Sequence, residues 1–189
     1  MAKIRKREEI KTEDTWALED LYGGEELFEK DCIRLSELID RFSVYQGRLK
    51  ESSGMLFQAL EAYAEMNQLF EKVYVYANQK LHQDMGNAKS QQTAGELEVM
   101  RNRLDTVQSY LVPEILELSG ELLEKYYEEL PKLTFYRRFL EEISRQKAHT
   151  LDAKTEGILA KAGEMANAPS NIFRMFQNAD ITFEPVTGE

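Results

Sequence analysis

The chain has 189 residues, 42% of them hydrophobic, with 24 Lys and Arg against 34 Asp and Glu for a formal charge of −10. This is enough material for one large domain or two small ones, and the negative balance opposes binding to phosphate backbones or anionic lipid, so nucleic acid and membrane surfaces are excluded as expected partners. No stretch is apolar enough to span a bilayer, the basic opening "KIRKREE" has no apolar run behind it, and the lone Cys32 cannot close an internal disulfide, so the expected location is a reducing cytoplasm.

Ten Gly and four Pro leave little material for turns, and helix is expected to dominate. "TEDTWALEDLYGG" offers Asp14 or Thr15 as the cap of a short helix anchored by Trp16, Leu18 and Leu21 and ended by Gly23 and Gly24. From Glu25 to Leu49 the positions Phe28, Cys32, Leu35, Ile39, Phe42 and Leu49 form one apolar face, interrupted at Gln46. After "ESSG" a second long stripe runs through Leu56, Leu60, Tyr63, Phe70, Tyr74, Ala77 and Leu81, with Asn67 in the one polar slot. Gly86 then serves as a stop and Asn87 as the next cap, and Leu97, Met100, Leu104, Val107 and Leu111 carry a third stripe to Pro113, which kinks or ends it. Shorter helices are expected at 120–130 and 131–148, with Pro131 in a first turn, and "ITFEPV" reads as a strand at 181–186.

The expected fold is therefore all-α: elongated antiparallel long helices followed by shorter helices, with one short C-terminal strand. The segments are an arm and short helix at 1–24, long helices at 25–118, shorter helices at 119–180 and the strand at 181–189.

No catalytic, cofactor-binding or metal-ligating residue is expected in this chain. Zinc chemistry on a helix calls for paired imidazoles and a carboxylate base, because three protein ligands leave the fourth position to the attacking water. His149, in "QKAHTLDAKTE", stands among acidic residues without that spacing, and Asp152 there reads as the cap of a helix starting at Ala153. His82 reads as a helix-ending residue that favours the dipole. Cys32 reads as a small core residue, the carboxylates of "EKYYEEL" and "FLEEIS" as solvated faces, and Tyr76 as lying off the apolar stripe, where it could line a groove, with core packing the commoner explanation. "GNAKSQQTAG" has no phosphate-cradling spacing.

Taken in order, "DTWALEDLY", "VYVYANQKLHQDMGNAKSQ", "VPEILEL", "YRRFLEEISRQKAHTLDAKTEGILA" and "FQNADITF" resemble the amino-terminal part of oligoendopeptidase F, a cytoplasmic zinc metallopeptidase of the thimet-oligopeptidase type. The resemblance covers nearly the whole chain. It implies that this region is part of the wall of a deep channel that admits short peptides. It also implies that the zinc, the His-Glu-x-x-His helix that holds it and the catalytic base lie in a carboxy-terminal portion absent here, so this chain alone is expected to bind no zinc and cleave nothing. The expected partners are that catalytic portion and, through exposed apolar faces and a strand cut off inside a hairpin, a second copy of the chain. The alternative is a self-contained helical module that binds partner helices without enzymatic activity.

Overall fold

A computed structural model describes residues 9–146 and, beyond them, 169–170, 172–173, 176–177 and 181. The chain divides into two compact units, Arg5–Arg145 and a second made of Gln146–Glu189 with Met1–Ile4. In the second, the described backbone shows the Ile181 amide donating to the Phe176 carbonyl at 2.9 Å. The helix expected from Ala153 and the strand at 181–186 fall outside the described residues, apart from Ile181, which belongs to no element; no strand occurs among the described residues.

Within the larger unit, helix α1 spans Glu25–Phe42, its first turn placing Glu25 and Glu26 at the positive end of the dipole. It stops short of the expected Leu49. A 3-10 turn at Ser43–Tyr45 follows, and Gly47 takes φ 77, a left-handed conformation open to glycine at no steric cost. Leu49 keeps its place in the apolar spacing because it is buried from the loop, at 1% exposure, and not from a helix. Helix α2, Ser53–Gln83, is capped by Ser52, whose hydroxyl accepts from the Met55 amide at 3.1 Å. Its 31 residues make a rod of about 46 Å. Helix α3, Ala88–Gln108, begins at the expected Asn87, whose side chain accepts from the Ser90 amide at 3.0 Å.

Helix α4, Leu111–Leu116, holds Pro113 in its first turn, where a missing N–H leaves no intrahelical bond unmade. Helix α5, Gly120–Glu129, is capped by Ser119. The expected helix at 131–148 opens differently, as a 3-10 segment at Pro131–Tyr136, and helix α6 begins only at Arg137. The short helix expected near the start is two 3-10 turns, Thr12–Asp14 and Leu18–Asp20, and its expected anchor Trp16 is 55% exposed; Tyr22, buried at 4%, takes that role.

Side-chain pairs fix the directions of the long helices. Arg34 meets Glu65 and Asp31 meets Lys72, so α1 and α2 run antiparallel, and Asn67 with Gln108 and Tyr74 with Glu98 give the same relation between α2 and α3. Glu25 with Lys89 and Asp40 with Arg103 then make α1 and α3 parallel. Their shared core includes Leu35, Ile39, Phe42, Leu60, Met66, Val73 and Leu104. Helix α5 and the 131–136 segment close on the first turns of α2, where Tyr136 packs edge-on against Phe57 at 6.1 Å and its hydroxyl donates to Glu61.

Candidate functional site

His82 stands exposed in the last turn of α2, and His149 lies outside the described residues. Cys32 is half-buried on α1; burial, then the charges of Asp31, Glu29 and Glu96, push its thiol up to about 11, which leaves little of the reactive thiolate near neutral pH. The acidic runs are solvated, and within them Glu124 pairs with Arg137 at 2.9 Å and Glu142 with Arg138 at 2.9 Å. Tyr76 packs in the core, against Tyr22 and Phe28, while Tyr74, expected on the apolar stripe, is the partly exposed ring, donating to Glu98. Among the described residues no three His, Cys, Asp or Glu come together in a way that could hold a metal ion.

What the tyrosines do was not legible in the motifs. Tyr22 donates to Asp31 at 2.8 Å, and Lys72 sits 4.1 Å over its ring while also reaching Asp31 at 3.1 Å. Tyr110 donates to the Phe42 carbonyl at 2.9 Å and Tyr126 to the Lys50 carbonyl at 2.8 Å, so both satisfy loop acceptors left open where α1 ends and α2 begins. Burial first, then the neighbouring carboxylates, pushes the Tyr22 and Tyr136 hydroxyls above the ordinary range, so they stay neutral donors. The available signal was an aromatic with a polar tip at the edge of an apolar stripe, the kind of residue that packs its ring and keeps its hydroxyl for a partner.

Two open grooves lie along the seam between the parallel helices α1 and α3. One, of about 620 Å³, is bordered by Gln46, Val99, Asn102, Thr106 and Tyr110, and the 2.6 Å ion pair of Asp40 with Arg103 neutralises the charge on its wall. The other, of about 440 Å³, runs past Cys32, Ile33, Glu96 and Met100 beside the ion pair of Glu25 with Lys89. Neither contains a nucleophile held against a base.

Known proteins share both the sequence and this arrangement of helices. A family model described as Oligopeptidase F matches residues 114–183. "Oligopeptidase PepF" of Bacillus subtilis (strain 168) is 34% identical over 183 residues, which are 97% of this chain and 27% of that protein. "Oligoendopeptidase F, plasmid" of Lactococcus lactis subsp. cremoris is 34% identical over 186 residues, 98% of this chain and 31% of its own length. The crystal structure of oligoendopeptidase-F from Enterococcus faecium superposes with a TM-score of 0.74 at 32% identity, over 87% of this chain and 32% of that one. The chain thus spans about three tenths of the length of the curated relatives it matches. Related to them across nearly its whole length, and built on the same helices, it is a relative of the amino-terminal part of oligoendopeptidase F.

Proposed function

We propose that this chain serves as the helical amino-terminal region of an oligoendopeptidase, where it forms part of the wall of the channel through which short peptides reach the catalytic centre. The observation that carries the reading is the match over 97% of this chain to only 27% of a peptidase. A wall of this kind works by shape. Long helices joined by short connections and packed on one core cannot part to admit a folded domain, whereas an extended peptide needs only a groove.

The zinc implied by the resemblance does not fit the described residues, which contain one histidine, His82, and no metal-holding cluster. In this proposal the metal, the water it activates and the catalytic base belong to the further length that the relatives carry, and that portion is the principal partner of this chain. The cytoplasm is the proposed location; the unpaired thiol of Cys32 suits a reducing compartment, and no helix among the described residues is long and apolar enough to cross a membrane.

The test is a chimera in which residues 1–189 replace the matching region of the Bacillus subtilis relative. It is expected to hydrolyse short peptides and spare folded proteins. A chimera that folds but cleaves no peptide, or that digests folded proteins equally well, overturns the reading.

A further inference from the structure

Along α3 the positions opposite the buried Leu97 and Leu104 are Ala88, Gln91, Gly95, Val99, Asn102 and Thr106, all exposed and none charged. In a chain with 31% charged residues, six successive positions at the centre of a solvent-facing helix stripe are expected to include Lys or Glu. Beside this face Lys89 pairs with Glu25, Arg103 with Asp40 and Arg101 with Glu98, while Glu96 accepts from Gln92 and Asp105 from Gln108. The larger groove borders the same face at Val99, Asn102 and Thr106. Gln91 donates to the Met85 carbonyl and Thr106 to the Asn102 carbonyl, which leaves their side-chain oxygens able to accept, and a Cβ added at Gly95 would meet nothing within 4 Å, so a visiting backbone can approach closely there.

From these features we infer that the uncharged face of α3 is the part of the wall that substrate touches, and that it takes an extended peptide of mixed charge through the peptide's main chain; this rests on the function proposed above. Amide and hydroxyl groups pair with backbone N–H and C=O whatever the neighbouring side chains are, and a face without charge neither attracts nor repels a Lys or a Glu in the peptide. A permanent protein interface is the poorer match. The centres of such interfaces are enriched in aromatic and large apolar residues, and this stripe offers only Val99, at 62% exposure.

The experiment places a charge on the face within the chimera, as Asn102→Lys and Asn102→Glu. Asn102 is exposed on α3, and Lys and Glu are better helix formers, so neither change disturbs the fold, which circular dichroism of the isolated variant chain checks. KM is then measured for an acidic and a basic peptide of equal length. The lysine variant is expected to lower KM for the acidic peptide and raise it for the basic one, and the glutamate variant to do the reverse, each by about three- to ten-fold. Unchanged KM values in an active chimera overturn the assignment of this face and leave the proposed function standing. Variants that fold as the isolated chain but destabilise the chimera also overturn it, because they show the face packed against protein. A folded wild-type chimera without activity removes the proposed function and this inference with it.

Discussion

Tyr22 shows how one side chain ties an irregular segment to a helical frame. Its ring lies edge-on to Phe28 at 5.5 Å and to Tyr76 at 4.9 Å, so the aromatic body is held by packing, and its hydroxyl donates to Asp31. Replacing it with Phe keeps the ring and removes one hydrogen bond to a charged acceptor, so Tyr22→Phe is expected to cost about 1–2 kcal/mol in urea unfolding, without change in helicity. Burial alone would raise the Asp31 carboxyl, but the Tyr22 hydroxyl and the Lys72 ammonium outweigh it and hold the group below its ordinary value of 3.8. A depressed carboxyl stabilises the fold above the unfolded pKa and loses that contribution as pH falls through the folded one. The gap between wild type and Tyr22→Phe is therefore expected to be full above about pH 5 and to narrow below pH 4, read from urea midpoints across that range. At the other limit the raised Tyr22, Tyr110 and Tyr136 hydroxyls contribute stability that is complete below the unfolded value of 10.0 and is lost as pH rises beyond it. Tyrosinate absorbance of these residues should thus appear together with the loss of helix; a free titration of Tyr22, Tyr110 and Tyr136 near 10 with the helices intact would contradict this packing.

The long helices were legible because a helix that buries one face must repeat its apolar residues every three or four positions, and α1, α2 and α3 do so. The beginning of α3 was legible as well, at the capping Asn87. Asn87→Ala removes the acceptor for the Ser90 amide and is expected to cost about 1 kcal/mol by urea unfolding. Their ends were less legible. Leu49 continues the spacing of α1 from a loop, and Pro131 opens a 3-10 segment whose Leu133 is fully buried, so tertiary packing and not local propensity decides the backbone there. Tyr76 packs in the core off the main stripe for a related reason: α2 is packed by several neighbours, which widens its buried face from a single stripe to one that includes Met66, Leu69, Val73 and Tyr76. Apolar periodicity does not reveal the candidate surface, because the uncharged face of α3 is the opposite side of that pattern. Gly95 gives this element its own test. It is a helix-interior glycine with open space where a Cβ would go, so Gly95→Ala is expected to stabilise the isolated chain by about 0.5–1 kcal/mol, seen as a higher urea midpoint.

At the scale of the whole described unit, α2 is the one helix that packs against α1, α3, α5 and the 131–136 segment. Its buried residues belong to a single cluster that runs from Phe28 and Ile39 through Leu60 and Val73 to Leu133 and Leu140, so the long helices and the shorter ones share one core within Arg5–Arg145. A shared core implies shared unfolding, because neither layer can lose its packing while α2 keeps both. Ile39 and Leu133 lie in different layers and are 3% and 0% exposed, so each can be truncated to report on its own layer. Ile39→Ala and Leu133→Ala are each expected to cost about 2–5 kcal/mol from lost burial and the cavity left behind. Both should lower one common midpoint, with far-ultraviolet helix signal and near-ultraviolet tyrosine signal falling together in urea. If Leu133→Ala instead loosens the shorter helices at low urea while α1 to α3 melt at the wild-type midpoint, α2 does not join the layers. Under the proposed channel-wall function, a unit that unfolds in one step keeps its groove dimensions up to the transition, as sorting peptides from folded chains by shape requires.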